Sequence, residues 1–186
     1  MKLSAFILLI SFIGLQSCTK DKTTVQVIRN PLLKFDLDIT NTWSATSVTF
    51  APLEKVVVYP VDTTSPAIVY NRLSLNATGK ATSGDNLELV ISFDVIDPAE
   101  LRGRYTPLYS LSKGLRDVKL YNTTNPNNLS VYSLCADNNI QAHFQIDRQN
   151  NSERLISGIF QMTTCNDRDS TQKIKLINGT FNDIRY

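Results

Sequence analysis

One histidine, His143, is all the imidazole in the 186-residue sequence, and that scarcity removes several chemistries at once. A nucleophilic serine or threonine needs a base and a third group to orient it. No Gly-x-Ser-x-Gly or other nucleophile-turn sequence accompanies His143, which lies between Ala142 and Phe144 in an alternating run and suits a surface position facing away from Phe144. Metal sites of mixed Cys/His type are short of ligands for the same reason, since only Cys18, Cys135 and Cys165 remain to supply them. There is no excess of one charge: 19 Lys and Arg stand against 17 Asp and Glu. With no basic-aromatic stripe either, nucleic acid is not an expected partner. No Gly-rich phosphate loop occurs, and no cofactor is expected. Finally, no stretch of about a dozen residues keeps apolar groups at helical spacing, which leaves strands.

The beginning of the chain is the exception to this evenness. Lys2 precedes a mainly apolar run from Leu3 to Ile13. As a helix that run would rise about 16 Å, well short of a hydrocarbon core of about 30 Å, so it suits a removable secretory signal and not a span. The run closes on Leu15-Gln16-Ser17-Cys18, which resembles the lipobox of bacterial lipoproteins. On that resemblance residues 1–17 are cleaved and the Cys18 thiol is acylated. Several acyl chains, at about 0.8 kcal/mol per buried methylene, hold a protein almost permanently, so the membrane becomes a partner through Cys18. Residues 18–30 are polar and without periodicity, as expected of a tether that lets a domain stand off the bilayer. Residues 31–186 suit one domain.

Alternation dominates that domain. Leu33, Phe35, Leu37 and Ile39 alternate with Lys34, Asp36 and Asp38, and Leu87, Leu89, Ile91, Phe93 and Val95 alternate with Glu88, Val90, Ser92 and Asp94. Turn-rich stretches such as "NATGKATSGDN", "NTTNPNN" and "NDRDST" separate such runs. The expected class is all-β: a single antiparallel β-sandwich or lipocalin-like barrel of about nine or ten strands. Asn178-Gly179 marks either a tight hairpin or a glycine bulge within one strand. The stretch 99–114 is irregular.

In an exported chain the even pair Cys135 and Cys165 points to a disulfide. If the run 140–148 pairs antiparallel with 153–164 about Gln149-Asn150-Asn151-Ser152, the two cysteines fall opposite one another, within the Cα separation of about 4.4–6.8 Å that the bond needs. The turn-prone Asp137-Asn138-Asn139 lies between.

Other candidate groups have plain alternatives. Asp36 with Asp38, and Glu88 with Asp94 across Ser92, could form carboxylate pairs, yet each pair is the polar half of an amphipathic strand and is expected to be solvated. Asn166, Asp167 and Asp169 have the oxygen-rich character of a Ca²⁺ loop but lack its closing bidentate Glu, so a polar hairpin loop is expected and no metal is assigned. Tyr105, Tyr109, Tyr121 and Tyr132 could stack on sugars or pack inside.

The C-terminal "RLISGIFQMTTCNDRDSTQKIKLINGTFNDIRY" resembles the closing motif of a group of Bacteroidota lipoproteins of uncharacterised function, through Ile156, Ser157, Gly158, Phe160, Asn178, Gly179, Thr180, Phe181 and Tyr186. "RGRYT", with Gly103 and Tyr105, echoes a Gly-x-Tyr piece of the same group. The resemblance implies an all-β cell-envelope domain and carries no catalytic residues. The resulting expectation is a lipid-anchored, non-enzymatic binding or interaction module of the cell envelope, at the outer membrane, with an unknown protein or glycan partner. A barrel-type carrier of a small apolar ligand, a carboxylate-dependent glycan hydrolase and a structural subunit of an outer-membrane complex are the alternatives.

Overall fold

The computed structural model describes residues 32–51, 53–58, 66–107, 113–135 and 142–186. The expected signal 1–17, Cys18, the tether 18–30, the triplet Asp137-Asn138-Asn139 and Tyr109 all lie outside the described residues. Among those described there are eleven strands and no helix: β1 (Leu32–Asp36), β2 (Thr42–Phe50), β3 (Glu54–Val58), β4 (Ile68–Ala81), β5 (Asn86–Val95), β6 (Gly103–Tyr105), β7 (Lys113–Asn122), β8 (Ser130–Leu134), β9 (His143–Asn150), β10 (Leu155–Asn166) and β11 (Lys173–Arg185).

Hydrogen bonding runs β1-β2-β4-β5-β7-β8-β10-β11 and returns to β1, so eight antiparallel strands close on themselves. A sandwich was one of the two architectures the sequence allowed, and the structure corrects it. Two sheets would leave β1 or β11 at an edge, whereas Leu32 pairs with Asn182 and Leu33 with Phe181. Closure removes these edges, and bulges let the strands bend enough to achieve it. β11 carries two. Between Phe160 and Met162 of β10 the opposite strand advances from Gly179 to Leu176, and between Ile156 and Gly158 from Ile184 to Phe181. The extra residues include Asn178 at φ 52° and Asp183 at φ 51°, types that tolerate left-handed backbone. Asn178-Gly179 is therefore a bulge in one continuous strand and not a hairpin.

Both bulges are pinned by side chains. Asn178 Nδ2 donates to Asp36 Oδ2 at 3.0 Å. The Asp183 amide donates to Ser157 Oγ at 2.9 Å, while Arg148 Nη2 donates to Asp183 Oδ1 at 2.6 Å and to Ser157 Oγ at 3.0 Å.

Inward positions fill the barrel. Leu73, Leu75 and Ala77 of β4, Leu89, Ile91 and Phe93 of β5, and Phe35, Trp43, Phe144, Phe160 and Phe181 are all buried. Phe144 stacks on Phe181 with centroids 4.8 Å apart, Phe93 lies 5.1 Å from Phe144, and Phe35 stacks on Trp43 at 4.7 Å. Glycines make room for these rings. Gly158 is paired with Phe181 and Gly179 with Phe160, so each ring lies over the bare backbone of the opposite strand. A Cβ on Gly158 would sit 1.9 Å from the Gln145 carbonyl oxygen and 2.7 Å from the Phe181 ring, and one on Gly179 would sit 2.6 Å from the Phe160 ring. The resemblance motif thus decomposes into one reciprocal packing unit.

The wall between β7 and β10 has two storeys. Near one end, β8 bridges them through Tyr121↔Val131 and Cys165↔Ser133. Near the other, β9 lies on the first half of β10 and β6 lies on β9, with the Leu115 amide donating to the Thr106 carbonyl at 2.9 Å to rejoin β7. β6 comes from the stretch that had no regular pattern. Its Tyr105 is wholly buried and donates its hydroxyl to the Leu101 carbonyl at 2.6 Å.

The β8 end is tied down. Asn41 and Ser83 bond reciprocally, Ser83 Oγ donates to Asp85 Oδ2 at 2.6 Å, and Thr124 Oγ1 bonds both the Asn86 amide and Asp85 Oδ1, so three hairpin loops are laced in series. Cys135 and Cys165 are joined there, with Cα atoms 5.1 Å apart. Their pairing is diagonal: Cys165 faces Ser133, and the Cys135 amide donates to the Thr163 carbonyl. The continuous register expected from the sequence is interrupted, because β8 and β9 are separate strands. A bridge over 30 positions restricts the unfolded chain by about 3.5 kcal/mol.

Gly158→Ala should cost at least about 3 kcal/mol or prevent folding, because the added methyl meets backbone that cannot move aside. Gly84→Ala, with nothing within 4 Å of its Cβ but φ at 97°, should cost only about 1–2 kcal/mol. Urea denaturation of the two variants measures the difference.

Candidate functional site

At the opposite end of the barrel the described residues leave a groove. Phe50 ends β2, Leu73 lies where β4 passes the rim, Pro98 and Ala99 follow β5, Arg154 precedes β10, and Arg185 and Tyr186 end the last strand. Together with Ala51 and Leu53 they line a groove of about 600 Å³, a size within the usual range of about 300–1,000 Å³ for ligand clefts. Its wall is mostly apolar, with Leu53 46% exposed. Its polar groups are two guanidiniums and the Tyr186 phenol, and no acidic side chain lines it among the described residues.

Several bonds hold this rim in place. The Tyr186 hydroxyl accepts from Gln149 Nε2 at 2.8 Å and donates to Asn151 Oδ1 at 3.0 Å, and its amide donates to the Arg154 carbonyl at 3.0 Å. Gln149 Oε1 accepts the Leu101 amide at 2.8 Å and its Nε2 also reaches the Ala99 carbonyl at 3.1 Å. Thus β9 fixes both the last residue of the chain and the segment after β5. Arg154 has φ 56°, a left-handed conformation that costs a residue of its type about 1–2 kcal/mol, and its guanidinium lies 5.6 Å from the centre of the Tyr186 ring. No carboxylate pairs with Arg154 or Arg185 among the described residues. The neighbouring Glu153 accepts instead from Asn150 Nδ2 at 2.8 Å.

The candidate residues of the sequence lie elsewhere. Asp36 accepts from Asn178 and Thr42, which hold its carboxyl below the usual carboxylate range. Asp38 is lowered by the backbone amide and then the hydroxyl of Thr40. Both carboxylates therefore serve turns. Asp94 departs from the expected solvated state: it points outward from β5 but is 2% exposed, because Arg72 donates from Nε and Nη2 to its two oxygens at 2.9 and 3.2 Å and Arg116 approaches at 3.4 Å. Arg116 reaches it through the register shift between Ser92 and Phe93. Arg72 also approaches Glu54 at 4.0 Å, so two cations and two carboxylates form a bracing cluster, not an acid–base pair. Glu88 is partly exposed on the same outer face and does not join it.

In the loop after β10, Asn166 Oδ1 accepts the Arg168 and Asp169 amides, and Asp169 accepts the hydroxyl and amide of Thr171, which lower its carboxyl. These oxygens are spent on turning the chain. No group of three or more His, Cys, Asp or Glu side chains converges as metal ligands among the described residues. Tyr105 is core, its phenol pushed well above its ordinary range by burial, while Tyr121 and Tyr132 are half-buried near the tied end. His143 is half-buried, its basicity lowered by burial first and by Arg104 second.

The groove residues escaped sequence reasoning, apart from the terminal Tyr186 of the resemblance motif. They come from five separate chain segments, and the left-handed turn that sets Arg154 has no signature in residue type. No family model matches the sequence, and neither a curated protein nor a solved structure matches it.

Asp94→Ala should cost about 1–3 kcal/mol, a range kept low by the partial exposure of Arg72 and Arg116; chemical denaturation measures it. For His143 the folded state prefers the neutral ring, so its stabilising contribution is complete above the unfolded value of about 6.5 and declines as pH falls through it. The thermal midpoint of the native chain should drop between pH 7.5 and pH 5.5 by more than that of His143→Gln, the two being compared by calorimetry.

Proposed function

We propose that the chain is a non-catalytic binding module of the bacterial cell envelope, anchored at the outer membrane through acylated Cys18, whose contact surface is the groove end of the barrel. One observation carries the choice of surface. The barrel interior is occupied by Trp43, Phe93, Phe144, Phe160 and Phe181, and the described residues offer a mostly apolar groove between Phe50 and Tyr186, of about 600 Å³. This favours binding at the rim over carriage of an apolar ligand inside the barrel.

The groove also favours binding over glycan hydrolysis. Cleavage of a glycosidic bond uses two carboxyl groups about 5–9 Å apart across a cleft, and the described lining offers arginines and a phenol instead. The anchor rests on Leu15-Gln16-Ser17-Cys18 and on the polar stretch that follows it.

Labelled palmitate should be incorporated into the native chain and not into Cys18→Ala, and the variant should leave the membrane fraction. Absence of label from the native chain would overturn the anchored reading.

A further inference from the structure

We propose that the groove end of the barrel rests on the bilayer leaflet that holds the anchor, with Arg154 and Arg185 taking anionic phospholipid headgroups and Leu53, Phe50 and Pro98 lying against the interface. The inference rests on the anchored reading and adds an orientation and a ligand class to it.

The path of the chain comes first. Leu32 opens β1 and pairs with Asn182, three positions before Arg185. The polypeptide arriving from Cys18 therefore enters the barrel on the groove end. For fourteen steps of chain, the number from Cys18 to Leu32, coil statistics give a root-mean-square span of about 20 Å, whereas a tilted β10 of 12 residues puts the tied end about 30 Å farther along the barrel axis. A connection of that length places the groove end, on average, nearer the bilayer than the disulfide end.

The chemistry of the rim agrees with that placement. The lining combines two arginines that have no carboxylate partner among the described residues with apolar side chains and a tyrosine, the combination that suits the boundary between headgroups and acyl chains. The apolar surface also continues past the rim. Among the described residues β3 pairs with β4 alone, beyond Phe50, and its Val57 faces Val69 of β4 with both side chains nearly half exposed. The far end differs in its loops, which bond to one another, and its exposed apolar side chains, Ile39 and Leu129, stand apart on separate loops. Arg154 is held over Tyr186 by a backbone conformation that costs stability, as expected when a side chain is positioned for contact and not for folding.

The test uses the mature chain carrying Cys18→Ser, so that partition reports the barrel end and not the acyl chains. Vesicles of phosphatidylcholine alone are compared with vesicles of equal parts phosphatidylcholine and phosphatidylglycerol by cosedimentation. Binding should require the anionic lipid and weaken with salt. Arg154→Gln and Arg185→Gln should each lower partition about 5-fold, Arg154→Gly should do the same while relieving the backbone, and Arg168→Gln at the far end should leave it unchanged. Equal partition of all variants, an equal loss in Arg168→Gln, or no partition at all would overturn the proposal. Retention of free dodecanoate in preference to vesicles would overturn it too, assigning the groove to a soluble amphiphile. Palmitate labelling of the native chain is read separately: a labelled chain whose Cys18→Ser form ignores both arginines loses this orientation but keeps its anchor, and an unlabelled chain loses the anchor itself.

Discussion

The exchange of rings and glycines between β10 and β11 is the constraint on which the barrel depends. Phe181 occupies the space a Gly158 side chain would take, and Phe160 the space of one on Gly179. Each strand is thereby brought close to its neighbour while the rings reach the axis, where Phe181 stacks on Phe144 and Phe160 meets Phe35 edge-on at 5.9 Å. A wider residue at either glycine would push a ring away from the axis and open the seam that closes β11 onto β1. The two bulges of β11 flank this unit and supply the curvature, and their polar pins at Asp36 and Ser157 keep the curvature from slipping along the strand.

The same seam separates the two ends of the molecule by character. At one end, hairpin loops bond to one another and a disulfide crosses between β8 and β10, although Ile39 and Leu129 stand exposed there. At the other, strands stop at different heights, Pro98 cannot continue a ladder, and unlike segments meet around a groove. Packing inside and polarity at the rim are thus separate properties. The filled interior gives the scaffold its rigidity, and the unequal strand ends give it a surface, the usual division between scaffold and contact region in all-β domains.

Much of the scaffold was legible in the residues. The period-2 run from Leu87 to Val95 fixed both the face and the extent of β5, because half of it sits against the core and half against water. The choice between barrel and sandwich was not legible, since it turns on whether the first strand meets the last, and no local pattern reports a pairing between Leu32 and Asn182. Asp94 illustrates a second limit. Its place in the alternation gave the correct outward direction but not its burial, which comes from arginines on β4 and β7 that lie far away in sequence. Asn178-Gly179 left a hairpin and a glycine bulge open; the bulge was decided by Asp36 and by the pairing of β11 on both sides, with Asn178 and not Gly179 taking the left-handed backbone. At the candidate site, Tyr186 stood out by motif, whereas Phe50, Leu73 and Arg185 acquire meaning only from the fold that gathers them.

The pairing of Leu32 with Asn182 also has a kinetic side. The contacts that seal the wall join positions 150 apart in the chain, so an emerging polypeptide has no means of completing its hydrogen-bonded circuit until the final strand is delivered. Long-range closure of this kind makes for slow acquisition of structure and prolongs the life of an open, threadable form.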